Sequence, residues 1–200
     1  MNPLEALNRA ATPRRRFLQS SAGLAAAAAT PAALMAARPA AAQVAAAAPG
    51  TITRTAGRSN EALTALGLGT FLTFDLLPGA NREHLRDITR QYMEAGVNVV
   101  DTSPLYGTGE TSVGGFLSAA NLTDKVFISN KIWSTGDFLA DESHARASLD
   151  QSLLRLWRSR IDLMFCHSLV NVDVVLPILR SWKKEGVIRY VGASHHENVY

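Results

Sequence analysis

The sequence predicts an α/β protein built around a parallel sheet, and three observations carry that prediction. From about Thr64 onward, short runs rich in Val and Ile alternate with longer stretches whose apolar residues recur at helical spacing. The alternation gives five strands separated by four helices, the βαβ repeat from which parallel sheets are made. Residues able to ionise or hydrogen-bond fall at the ends of four consecutive strands. Apolar residues make up 47% of the 200 and charged ones 18%, a globular mixture that can bury a core.

The first 42 residues stand apart from this pattern. They hold Arg9, Arg14, Arg15, Arg16 and Arg38 against one acid, Glu5. Setting them aside leaves 15 basic and 16 acidic residues, so the net charge of +3 belongs to the leader. The arginines that remain are scattered, and a nucleic-acid partner loses its main support. Thr12-Pro13-Arg14-Arg15-Arg16-Phe17-Leu18-Gln19 precedes a tract in which 17 of the 27 residues from Ala22 to Ala48 are alanine. Gly23, Pro31, Arg38 and Pro39 interrupt that tract, which disfavours a membrane span. A charged start, a weakly apolar middle and small residues at Ala40-Ala41-Ala42 are the parts of a removable signal peptide. The arginine run followed by Phe-Leu resembles the bacterial twin-arginine export signal. The resemblance implies residues 1–42 as the signal, the twin-arginine machinery as a partner and the periplasm as destination. Residues 43–63 read as a linker, with a hairpin expected over 51–63 that covers one mouth of the sheet.

The elements follow in order. Leu66 to Thr70 is a short strand, and Arg82 to Ala95 a helix with Leu85, Ile88, Tyr92 and Met93 on its apolar positions. Val97 to Val100 is a strand ending at Asp101, and a Gly-rich loop leads to a short helix near 113–119. Val126 to Ser129 is the third strand, followed by a helix over about 141–156 with Leu149, Leu153 and Leu156 on one face. Ile161 to Cys166 is the fourth strand. Val174, Val175, Ile178, Leu179 and Trp182 mark a helix that Gly186 stops, and Ile188 to Gly192 is the fifth strand. No glycine fingerprint opens the first βα turn and no phosphate-binding G-x-x-x-x-G-K-[ST] occurs, which disfavours a doubly wound dinucleotide-binding fold. Asp101, Lys131, His167 and Ser194 stand instead at successive strand ends, which in a (β/α)8 TIM barrel converge on the mouth that carries the active site. The expected fold is such a barrel, with about the first five βα units present.

These residues sit in segments that resemble one family. Val99-Val100-Asp101-Thr102-Ser103-Pro104-Leu105-Tyr106-Gly107-Thr108-Gly109-Glu110 resembles the D-T-(A/S)-x-x-Y-G-x-x-E segment of the aldo-keto reductases. Leu66 to Thr70, Phe127 to Lys131, Asp162 to His167 and Ile188 to Ser194 are similar to that family's first, third, fourth and fifth strands. The likeness runs over residues 64–200 in the family's order. It implies a barrel enzyme that reduces a small-molecule aldehyde or ketone with a nicotinamide cofactor, NADPH before NADH.

The chemistry accounts for the residue types. Reducing a carbonyl requires a proton donor at the oxygen as negative charge develops there. Tyr106 is the natural donor, and an adjacent Lys131 ammonium would favour the phenolate it leaves behind. Asp101 would hold Lys131 in place and keep it charged, and His167 would hydrogen-bond the substrate oxygen. The resemblance assigns the same four roles, and adds Ser194, Thr70, Asp101 and His195 on the cofactor side. Ser194 matches the position that hydrogen-bonds the nicotinamide carboxamide, whereas His195 stands where the family commonly has Asn. The single Cys166 excludes an intrachain disulfide and is expected to pack away from the mouth. No metal is expected: His84, His144 and His196 lack ligand spacing and the chemistry needs none.

The family barrel has eight strands, and this chain ends at Tyr200 after its fifth. The resemblance therefore implies a longer enzyme, whose remaining units would bring the residue that stacks on the nicotinamide and the basic loop for the 2′-phosphate. Alternatives are a naturally shortened, inactive product, a catalytically silent binding protein of the same fold, and a different barrel enzyme. Five strands alone would leave two open edges, which favours aggregation or assembly into an oligomer.

Overall fold

The computed structural model describes residues 44–56, 59–133 and 142–196. The leader with its arginine run and small-residue site lies outside these residues. A hairpin comes first: β1 (Thr53–Thr55) pairs antiparallel with β2 (Ala62–Thr64), Thr53 opposite Thr64. The five-stranded sheet follows. It comprises β3 (Leu68–Gly69), β4 (Val99–Asp101), β5 (Phe127–Ile132), β6 (Ile161–Cys166) and β7 (Ile188–Ala193). All neighbours are parallel and in chain order, the arrangement of consecutive strands in a barrel wall. The helices between them are α1 (Glu83–Glu94), α2 (Gly109–Ala119), α3 (Glu142–Leu156) and α4 (Val172–Glu185). Among the described residues no helix is long and apolar enough to cross a membrane.

Side-chain alternation builds the core. Val100, Ile128, Met164 and Cys166 point from the strands into one cluster with Val113, Leu117, Leu149, Leu156, Val175, Leu179 and Trp182 from the helices. Burial of each such side chain contributes about 1.5–3 kcal/mol. Two glycines permit the packing. At Gly114 a Cβ would run into the backbone carbonyl of Arg155, so only glycine lets α2 approach the end of α3. Gly186 takes φ +82° and its N–H and that of Val187 bond back to Lys183 and Trp182, which ends α4 where expected.

Element ends differ from the sequence expectation at two places that matter. β5 runs on to Ile132, so Lys131 lies inside the strand instead of after it. Its last four residues pair with Leu163–Cys166 of β6, and its polar Ser129, Asn130 and Lys131 are all buried. α2 begins at Gly109, not near Val113, because its polar first turn is interior: Glu110 is fully buried. Register aligns Gly69 with Asp101, Asp101 with Ser129, Lys131 with Phe165 and Cys166 with Ala193, which sets the carboxyl ends of the strands together.

The hairpin is tied to the opposite, amino end. Asn98, just before β4, accepts the Thr64 N–H at 3.0 Å and donates to the Ala45 carbonyl at 3.0 Å. Glu61 accepts from Arg189 Nη2 at 2.6 Å and from the Tyr190 hydroxyl at 2.7 Å. The hairpin is thereby bonded at the amino ends of the strands, opposite the carboxyl ends that carry Asp101 and Lys131.

Candidate active site

Asp101 is the last residue of β4. Its Oδ2 lies 2.6 Å from Lys131 Nζ and its Oδ1 accepts the Ser129 hydroxyl at 2.8 Å. The Lys131 ammonium also donates to the Thr102 carbonyl at 2.8 Å. Two acceptors hold a nearly buried cation and fix its direction. That ammonium stands 4.7 Å from the centroid of the Tyr106 ring. Tyr106 is carried on the turn after β4, with its N–H bonded to the Ser103 carbonyl and its own carbonyl accepting the Gly109 N–H at the start of α2. Phe71 packs on it at 5.0 Å between ring centroids, and His167 meets it edge-on at 6.3 Å and 82°. Phe71 on the Tyr106 ring and Leu105, the chain neighbour of Tyr106, remain exposed.

His167 follows β6, where the chain makes a 3₁₀ turn with Ser168, Leu169 and Asn171 at φ of 55°, 57° and 48°. Left-handed backbone at three non-glycine residues is costly and persists only where the surroundings enforce it. Here the Val170 N–H bonds to the His167 carbonyl, the Ser194 N–H to the Cys166 carbonyl and the Ser168 N–H to the Ser194 hydroxyl oxygen. His167 Nδ1 is buried without a hydrogen-bond partner. Burial first, and then the Lys131 charge, lowers the pKa of its imidazole, so the ring is neutral at neutral pH.

Asp101, Tyr106, Lys131 and His167 are thus brought into one cluster. Ser194 sits beside it at the end of β7, its hydroxyl oxygen accepting from Ser168 and its O–H still able to donate. Thr70 is fully buried beneath the cluster: it donates to the Asp101 carbonyl at 3.1 Å and lies 3.0 Å from the Thr102 hydroxyl. That burial places its side chain in support of the β4 end. His195 is exposed past the strand, its ring 5.8 Å from that of His196 and outside the Asp101–Lys131 contacts. Cys166 is buried among core residues, and burial raises the pKa of its thiol.

Sequence reasoning gave no role to Ser129, Thr102, Glu110 or Asn130. Ser129 was within reach, because it is two residues before Lys131 on the same side of a strand. Glu110 stood in the quoted segment, but its partners Asn130 and Arg155 are 20 and 45 residues away.

A parallel barrel wall with an Asp–Lys pair, a tyrosine and a neutral histidine at its carboxyl mouth defines a narrow class of (β/α)-barrel proteins. The Aldo/keto reductase family matches residues 65–199, and the chain belongs to it. D-arabinose 1-dehydrogenase of Saccharomyces cerevisiae is 34% identical over 122 residues, 55% of this chain and 36% of that protein. An aldo-keto reductase from Bacillus halodurans, solved in its holo form, is 26% identical with a TM-score of 0.60, covering 72% of this chain and 50% of that one. An aldo/keto reductase from Klebsiella pneumoniae, solved in complex with NADP and acetate, shares the fold at 24% identity and a TM-score of 0.60, covering 70% and 48% of the two chains. The chain therefore spans half or less of the length of these proteins.

Proposed function

We propose that the protein is an NAD(P)H-dependent oxidoreductase that reduces an aldehyde or ketone to an alcohol, with Tyr106 as proton donor. The observation that carries this reading is the Lys131 ammonium, held by Asp101 at 2.6 Å and facing the Tyr106 ring at 4.7 Å. The Tyr106 hydroxyl gives its proton to the carbonyl oxygen as charge develops there, and the ammonium stabilises the oxygen left behind. Asp101 fixes the ammonium and balances its charge. Neutral His167 donates an N–H to the same carbonyl oxygen and sets its orientation.

The residues present fit the nicotinamide end of the cofactor. Ser194 keeps an O–H for the carboxamide, and the unpartnered His167 Nδ1 marks a polar group awaiting a neighbour at the same mouth. Asp101 stands at this mouth and Thr70 supports it from below, while His195 follows Ser194 in the chain. When bound, the nicotinamide supplies the hydride that the carbonyl carbon accepts. NADPH over NADH is part of the proposal, supported by the NADP named in the Klebsiella pneumoniae structure. Incubating the full-length enzyme, including the barrel units that the resemblance implies beyond residue 200, with NADPH and a panel of aldehydes and ketones should consume NADPH with saturation in both reactants, more slowly with NADH. No turnover across the panel would overturn the reading.

The leader supports a second part of the proposal, export to the periplasm by the twin-arginine machinery. Arg14, Arg15 and Arg16 before Phe17-Leu18, and Ala40-Ala41-Ala42, are the features that support it. Replacing the three arginines by Lys should retain the protein in the cytoplasm. Unchanged periplasmic delivery would remove this part and leave the chemistry untouched.

A further inference from the structure

Glu110 and Asn130 are polar, fully buried, and unused by the chemistry above. Asn130 Nδ2 donates to Glu110 Oε1 at 2.9 Å, and Arg155 Nη1 donates to Glu110 Oε2 at 3.0 Å. Asn130 Oδ1 in turn accepts the backbone N–H of Lys131 at 2.8 Å. That last bond has a structural cause. The Ser129 carbonyl faces β4, where it accepts the Thr102 N–H. N–H and C=O groups two residues apart on a strand face the same neighbour, so the Lys131 N–H also points to the β4 side. β4 ends at Asp101, opposite Ser129, and the Thr102 carbonyl just beyond it takes the Lys131 ammonium instead. The Asn130 side chain takes the place of the missing strand.

The pair also spans the two carriers of the site. Glu110 stands in the first turn of α2, whose first residue, Gly109, bonds back to the Tyr106 carbonyl at 2.9 Å. Asn130 is next to Lys131 on β5 and alternates to the helix-facing side with Ile128. One buried hydrogen bond therefore joins the segment bearing Tyr106 to the strand bearing Lys131. A hydrophobic pair of equal volume would pack about as stably as a buried polar one. What the polar pair adds is direction and register.

We propose that Glu110 and Asn130 are positioning residues that set the approach of Lys131 to Tyr106. Neither touches the reacting atoms: both act through the Lys131 backbone and the Tyr106 turn. The proposal rests on the reductase reading of the mouth, and its test includes a readout that does not need turnover.

Glu110→Ala, Asn130→Ser and Glu110→Gln are made in the full chain. Turnover is measured on a carbonyl substrate, and reductive methylation of each lysine is followed by mass spectrometry. In Glu110→Ala and Asn130→Ser, kcat should fall on the order of tenfold or more with KM within about twofold, as for a displaced catalytic group. Methylation of Lys131 should quicken while that of Lys125, Lys183 and Lys184 stays as in the wild type. Glu110→Gln keeps an acceptor oxygen for Asn130 and should restore both readouts to within about threefold of wild type. Equal acceleration at all four lysines, or an equal loss in Glu110→Gln, would mean a merely structural role and overturn the proposal. Unchanged kcat and unchanged Lys131 reactivity would do the same. If Glu110→Ala does not fold, Asn130→Ser decides. A wild type without turnover would sink the reductase reading, and Lys131 methylation would still decide this one.

Discussion

At the amino end of the sheet Asp162 is fully buried and saturated: Oδ2 accepts the Ile128 N–H and Arg158 Nη2, and Oδ1 accepts Arg189 Nη1. Arg158 directs its other donors to the carbonyls of Arg160, Thr123 and Val126, and Arg189 bonds Glu61 of the turn before β2. Burial alone would lower the Arg189 pKa, but its bonds to Glu61 and Asp162 outweigh that and raise it. Asp101, at the carboxyl end, holds Lys131 and Ser129 with its side chain 39% exposed, beside a histidine nitrogen with no partner and a serine with a proton to give. Both ends bury charge, but the lower network closes on itself and the upper one has hydrogen-bonding capacity left over. A saturated network contributes to holding the fold, and residual capacity is what a ligand can use.

Two substitutions should separate the ends most sharply. Tyr106→Phe removes the donor at the open mouth, and kcat should fall by roughly two to four orders of magnitude. Its melting temperature should stay within about 2 °C of wild type, because the lost hydroxyl contributes little to stability. Activity within about threefold of wild type would break the assignment. Asp162→Ala should do the reverse. It strands Arg158 in the interior and leaves Arg189 with Glu61 alone, and urea titration should show a loss of about 3–5 kcal/mol. Turnover per folded molecule should remain near wild type. If Asp162→Ala left stability intact and abolished turnover, the division between the two ends would fail.

A smaller effect tests how the hairpin is held at the amino end. Glu61 joins the hairpin to Arg189 and Tyr190, and both contacts are partly exposed to water. Glu61→Gln weakens the charge-assisted bond and should lower stability by about 1 kcal/mol after screening. Amide exchange should quicken in β1 and β2 and not in β5 or β6. Exchange that quickens throughout the sheet would mean that the hairpin is part of the core and no mere cover.

The same contrast explains what the sequence made legible. Short apolar runs, Leu-rich in the first strand and rich in Val and Ile in most of the others, located all five parallel strands, since a buried strand needs apolar residues on at least one face. β6 was read to the residue because Ile161 to Cys166 is bounded by polar and turn residues. β5 was cut short after Ser129 because Asn130 and Lys131 look like a loop until their partners are known. The cluster of Asp101, Tyr106, Lys131 and His167 was legible because strand ends converge wherever strands are parallel, and family resemblance supplied the proposed roles. The lower network was not legible, since Glu61 and Arg189 are 128 residues apart. Arg158 and Asp162 have helical spacing, but Arg158 follows α3 and Asp162 is the second residue of β6, so that spacing carries no meaning. Pairings of this kind are fixed by the folded geometry and leave no local pattern.

The smallest effect concerns His167 and the pH dependence of stability. Burial, then the Lys131 charge, lowers its pKa in the folded protein, His196 acts in the same direction, and Asp101 opposes them. In the unfolded chain the imidazole titrates near 6.5. Above that value both states hold it neutral and the folded protein suffers no penalty. As the pH falls below it, the unfolded chain takes up the proton first, so stability declines until the folded pKa is reached. The arginines of the lower network stay charged throughout this window and contribute no slope of their own. Melting temperatures measured from about pH 7.5 to about pH 5.5 should therefore drop more for the wild type than for His167→Gln, in which the background from the other histidines and the carboxylates is unchanged. The His167→Gln curve should lie parallel to the wild type at the upper end and diverge below about pH 6.5. Curves that stay parallel over the whole range would show that the open mouth does not hold His167 neutral, and its role as a hydrogen-bond donor from a neutral ring would have to be given up.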